Sequence, residues 1–152
     1  SWEQRIPDHV DFKRIPVVFG RASWELYARA FITAEIMNLP ESSHMAMMDR
    51  LWKERKIMRS LSDIADFYVQ FGADKQKFLS TAQSFAVDGR IRRDEQLARD
   101  LGITGTPSMV VAGKYRVSGS SALPSFDALL DVVNYLVEME YEQQKSVAGA
   151  AE

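Results

Sequence analysis

The chain has 152 residues, 46% hydrophobic and 26% charged, with 19 Lys and Arg against 21 Asp and Glu for a formal charge of −2. That length suits one domain with room for an inserted subdomain and a sizeable core, and the charge gives no reason to expect nucleic acid or an anionic membrane as partner. Cysteine is absent, so this chain supplies no thiol nucleophile, no disulfide and no thiolate metal site. No apolar run approaches the ~18 residues of a membrane span, and no basic-then-apolar leader pattern is read at the start. A mature form or a fragment would look the same, which leaves the compartment open.

Residues 1–6 read as the last turn of a helix, broken by Pro7-Asp8. Residues 10–19 are the first strand candidate, β-branched and aromatic, alternating and then continuously apolar; Pro16 marks an edge, a bulge or the strand's end. From Ser23, a plausible N-cap, the period turns helical. Trp24, Tyr27, Phe31 and Ala34 recur at spacings of three and four until Pro40. A second helix follows, with Met45, Met48 and Trp52 on one face and Met47 pointing elsewhere. A third opens near Ser60 or Ser62, carries Leu61, Ile64, Tyr68 and Phe71, and stops at Gly72. A fourth opens at Asp74 with Phe78, Ala82 and Phe85, and a fifth aligns Val87, Ile91, Ala98 and Leu101 before Gly102.

A Gly-rich approach then leads through Thr106-Pro107 into a hairpin: strand 108–111, turn Ala112-Gly113, strand 114–117. Proline at a strand entrance removes a ladder donor, and X-Pro is the one bond where cis is cheap, about 0.5–1 kcal/mol above trans. A cis bond here would bare the N–H and C=O of Thr106; the bland alternative is an ordinary loop-to-strand junction. Gly113 suits a type I′ turn, whereas Ala112 is unfavourable where φ is positive. A last amphipathic helix covers 125–142, with Phe126, Leu129, Leu130, Val133, Leu136 and Val137 as its stripe, and 146–152 reads as a frayed tail. The order is strand, five helices, hairpin, helix. A lone strand before a helical block cannot pair locally, so it must join the hairpin from a distance, with the helices inserted as a cap.

That order, with the segment Gly102-Ile103-Thr104-Gly105-Thr106-Pro107-Ser108-Met109-Val110-Val111-Ala112-Gly113-Lys114-Tyr115-Arg116-Val117, closely resembles the DsbA family of thiol–disulfide oxidoreductases, over residues 6–139. The resemblance implies an α/β, thioredoxin-like fold with an inserted helical subdomain: thioredoxin-like parts at 1–22 and 102–145, the insertion at 23–101, a tail at 146–152. It implies further that two strands and the start of the active-site helix, with its Cys-x-x-Cys, belong ahead of residue 1. The lost strand would lie mid-sheet. Each buried backbone group left unpaired costs about 1–3 kcal/mol, so this segment is expected to be stable only with that missing N-terminal part.

By the same resemblance, Gly105, Thr106 and Pro107 form the cis-Pro substrate-binding wall facing the catalytic disulfide. Arg14 stands where the family has a lysine under the active site that pairs with a buried acid; a strand-edge arginine reaching water is the plain alternative. No residue here is catalytic and no cofactor is expected. The parent protein would introduce disulfides into reduced, unfolded secreted proteins in the periplasm and be reoxidised by a quinone-linked membrane enzyme of DsbB type, while this chain alone would be inactive. Two rivals stay open: a DsbA-related glutathione-dependent isomerase with serine at the active site, and a non-enzymatic helical interaction module.

The remaining candidates read blandly. The His44-Met45-Ala46-Met47-Met48 run could hold a soft metal, but its methionines fit a core stripe better. His9 has no carboxylate or nucleophile at readable spacing. Arg90, Arg92 and Arg93 alternate with Asp88, Asp94 and Glu95 as a solvated face. Trp24, Tyr27, Trp52 and Tyr68 read as core, with one or two left to line a groove.

Overall fold

The computed structural model describes residues 2–149; residues 1 and 150–152 fall outside that description. The chain forms two compact units, one of residues 14–97 and one of residues 1–13 with 98–152. The boundaries expected from sequence lie further along, at 22/23 rather than 13/14 and at 101/102 rather than 97/98.

The 14–97 unit holds α1 (Ala22–Ile36), α2 (Glu41–Trp52), α3 (Leu61–Val69), α4 (Lys75–Ala82) and most of α5 (Phe85–Asp100). Helix α1 starts ahead of Ser23, the expected N-cap. Phe19 and Gly20 take positive φ values of 49° and 69°, and the Arg21 carbonyl already accepts from Trp24 and Glu25. Helices α3 and α4 begin as their sequences ask: Ser60 Oγ accepts from Asp63 N at 3.0 Å and Asp74 Oδ1 from Lys77 N at 2.8 Å.

One core gathers Ala30, Ala34, Met47, Ile64, Tyr68 and Phe78, with the Tyr68 and Phe78 rings stacked at 4.9 Å. The α2 face matches the expected one only in part: Met48 packs against this core, but Met45 and Trp52 turn outward and Met47 takes the buried place. Met47 is 3% exposed, whereas Met45 is 50% and Trp52 77% exposed. Ser43 and Met47, four residues apart, point inward together, and Met45 stands about 200° round the helix from Met47. Phe85 also departs from its expected core place, because the chain breaks at Gln83-Ser84 and α5 starts afresh from the Ser84 carbonyl.

Residues 10–18 form no strand, and Phe19 lies in a turn. A strand needs a hydrogen-bonded neighbour, and the one named ladder among the described residues is the hairpin described below. Val18 and Phe19 instead donate their N–H groups to Glu95 Oε1, at 2.5 and 3.2 Å. The charged run of α5 is therefore not wholly a solvated face. Arg92 and Arg93 are exposed, but Asp94 is buried under Arg90, whose Nε reaches both its oxygens at 3.1 and 2.9 Å.

The other unit holds a 3-10 turn, Glu3–Arg5, the end of α5, the hairpin of β1 (Ser108–Val111) and β2 (Tyr115–Ser118), and α6 (Phe126–Gly149). The strands are antiparallel with Val111 opposite Tyr115, so the second begins one residue later than expected. Ala112 and Gly113 take φ values of 53° and 68°. Ala112 thus accepts the left-handed backbone that its Cβ disfavours. Helix α6 is capped by Ser125 Oγ, which accepts from Ala128 N at 3.1 Å, and lays Leu129, Leu130 and Val133 on Val111 and Val117 of the hairpin. The expected tail is helical over 146–149, where Ser146 Oγ donates back to the Glu142 carbonyl at 3.0 Å; its end, 150–152, lies outside the described residues.

Candidate functional site

The loop from α5 to β1 is built by the residues on either side of it. At the end of α5, Gly102 N donates to Arg99 O at 2.9 Å and Ile103 N to Ala98 O at 2.8 Å, with Gly102 at φ 65°. This is a Schellman end, which needs a residue without Cβ at its left-handed position. Arg116 of β2 donates through Nη1 to the carbonyls of Gly102 and Leu101, a cation on the negative end of a helix. A Cβ at Gly102 would collide with that same Nη1. The helix end and the hairpin are thereby locked to each other, and the loop between them is held at both ends.

Ser108 fixes the rest. Its Oγ donates to the Gly105 carbonyl at 2.7 Å and lies 2.8 Å from Ser118 Oγ across the hairpin. The Thr106–Pro107 peptide bond is cis, and Gly105, Thr106 and Pro107 are all exposed. Among the described residues, the N–H and C=O of Thr106 have no hydrogen-bond partner. β1 pairs with β2 on one side and with no other described strand. The site is thus a short stretch of wet, unpaired backbone at a sheet edge, with its neighbours immobilised.

Arg14 belongs to the other unit. It sits in the irregular segment ahead of α1, half-buried, with Nη2 2.8 Å from Oε1 of the exposed Glu41. Together with Glu41, Phe31, His44 and Tyr68 it lines a cleft of about 50 Å³, room for a few water molecules. His44 meets the Phe31 ring edge-on at 5.3 Å, and no group of three or more His, Asp or Glu among the described residues could hold a metal ion. His9 does have a carboxylate near it, Glu138 Oε1 at 3.9 Å, and its ring stacks on Tyr141 at 3.7 Å. Of the expected core aromatics, Tyr68 is buried, Trp24 and Tyr27 are half-buried, and Trp52 lies in water. Sequence reasoning missed Arg116, Ser108 and Glu95. Arg116 and Ser108 stand within the Gly-Ile-Thr-Gly-Thr-Pro stretch and its continuation, but nothing in their spacing shows which carbonyls they reach.

A family model described as DSBA-like thioredoxin domain matches residues 3–131. The thiol:disulfide interchange protein DsbA of Pseudomonas aeruginosa is 38% identical over 140 residues, which are 91% of this chain and 65% of that protein. The same-named protein of Pseudomonas syringae pv. tomato is 36% identical over 146 residues, 95% of this chain and 67% of its own length. Among solved structures, Pseudomonas aeruginosa DsbA matches with a TM-score of 0.83 at 35% identity, covering 95% of this chain and 74% of that one. The oxidoreductase DsbA from Xylella fastidiosa matches with a TM-score of 0.83 at 30% identity, covering 93% and 74%. The chain spans about 65% of the length of the first of these relatives.

Proposed function

The chain belongs to the DSBA-like thioredoxin domain family and has its fold, and from that premise we propose that it is the substrate-binding portion of a thiol:disulfide oxidoreductase whose redox cysteines lie outside this sequence. The reaction would be two exchanges. A substrate thiolate attacks the enzyme disulfide, forming a mixed disulfide and releasing one enzyme thiolate. The second substrate thiolate then attacks the mixed disulfide, so the substrate leaves oxidised and the enzyme keeps two electrons as a dithiol. This chain encodes no cysteine, so its share is binding and orientation.

The observation that carries this reading is the free, exposed backbone of Thr106. An extended peptide can add to it as a further strand, its main chain supplying the hydrogen bonds whatever its sequence. That tolerance suits an enzyme acting on many unfolded secreted proteins, in the periplasm, with a membrane reoxidase of DsbB type to restore the disulfide. Arg14 would act through charge alone, biasing nearby thiolates. We read residues 23–101 as the inserted helical subdomain.

Amide NMR of the chain with an extended serine-centred peptide tests the binding claim. The Thr106 amide should shift and exchange more slowly on titration, and Ser108 should follow. Shifts confined to other surfaces would overturn it.

A further inference from the structure

The end of α2 and the segment that follows it hold two large apolar side chains in water on a fixed frame. Trp52 is 77% exposed and Ile57 69%. Yet Lys53 and Glu54 both donate to the Asp49 carbonyl, at 2.9 and 3.0 Å, and Lys56 donates to that of Arg50 at 3.0 Å. The Tyr27 hydroxyl donates to Met58 O and accepts from Met58 N, each at 2.9 Å, and Met58 is buried. Packing alone gives no reason to anchor a segment so well and turn its tryptophan outward.

The same segment concentrates positive charge in a chain whose net charge is −2. Residues 49–59 contain Arg50, Lys53, Arg55, Lys56 and Arg59 against Asp49 and Glu54. Lys53 is paired with Asp49 at 2.8 Å and Lys56 with Glu54 at 3.0 Å. Arg55 and Arg59 are exposed; among the described residues neither has an ion-pair partner. The whole-chain charge conceals this local excess.

We propose that residues 52–59 dock on an anionic lipid bilayer, with Trp52 and Ile57 entering at headgroup level and Arg55 and Arg59 meeting lipid phosphates. Tryptophan favours that depth because its ring is apolar and its N–H polar, and each nearby cation adds attraction to an anionic surface. An acidic peptide is the weaker fit. The cavity of about 490 Å³ beside Ile57 presents Asp63 and Asp66 along with Arg50, and those carboxylates oppose an anionic chain seated within it. Asp66 is partly offset by Lys75 at 2.7 Å. A bilayer would engage the protruding side chains and need not enter the cavity.

The test is co-sedimentation of the 152-residue chain with vesicles of equal parts phosphatidylglycerol and phosphatidylcholine, read beside pure phosphatidylcholine vesicles. The chain should pellet with the anionic vesicles alone, with a blue shift in tryptophan emission that Trp52→Phe removes, and should be released by salt. Trp52→Ala, and separately Arg55→Glu with Arg59→Glu, should each weaken partitioning by about tenfold or more; these positions are exposed, and circular dichroism checks that the fold is kept. No pelleting with anionic vesicles, or equal pelleting with neutral ones, would overturn the proposal. So would a blue shift produced by self-association in light scattering, or by a polyglutamate peptide in place of lipid.

Discussion

Lys114 Nζ lies 2.7 Å from Oε2 of Glu140, a residue only 4% exposed whose other oxygen, Oε1, has no hydrogen-bond partner. The contact ties the hairpin turn to α6 through a carboxylate that water does not reach. The hydrogen bond that Lys114 donates to Glu140 holds its ammonium above the usual lysine value of 10.5. Any stability linked to that shift is fully present below 10.5 and is lost as pH rises through the raised value. Lys114→Ala would strand a buried carboxylate with both oxygens unpaired and should lower Tm by about 5 °C or more. Glu140→Met removes the buried charge, leaves Lys114 to water, and should cost less. Thermal melts of the two variants by circular dichroism check the order.

Tyr68 makes a second pH-dependent contribution. Burial against the α3–α4 core pushes its hydroxyl from 10.0 up to about 12. Above 10 the unfolded chain gives up a proton that the folded one keeps, so stability is full below that value and declines until the folded group ionises too. The total loss is about 3 kcal/mol. Urea unfolding at neutral pH and near pH 12 should show that loss in the parent chain and a much flatter dependence in Tyr68→Phe.

Met47 and Met45 of α2 separate the observed face from the expected one. Met47→Ala should destabilise by about 2–5 kcal/mol through transfer and cavity terms. Met45→Ala, at a half-exposed position, should stay within about 0.5 kcal/mol. Urea midpoints at constant m-value decide between them.

What could be read in advance follows the range of the forces involved. Ser60 and Asp74 are caps whose partners lie three residues away, so a local pattern finds them. The Thr-Pro entrance, β1 and the start of α6 carry equally local signals. Met47 could not be placed so, because a helix with apolar residues at 45, 47, 48, 51 and 52 has more than one plausible face. The partner α1–α4 surface chooses between them. Residues 10–19 have strand composition, but a strand is a pairing, and composition does not say what pairs with it. Glu95 and Arg116 act on backbone 76–77 and 14–15 residues away, a distance at which a charged side chain in a helix or strand looks like any other. Glu140 was hidden for the same reason: one turn past the apolar stripe of α6, it reads as solvated until the hairpin covers it.

Oxidation of a reduced two-cysteine peptide, with glutathione disulfide as terminal oxidant, tests the central claim most directly. It is measured for this chain alone and for a fusion carrying the cysteine-bearing N-terminal segment of Pseudomonas aeruginosa DsbA ahead of it. The chain alone should add nothing to the uncatalysed rate, and the fusion should turn the peptide over catalytically. Turnover by the chain alone, or a folded fusion that oxidises no peptide, would contradict the account.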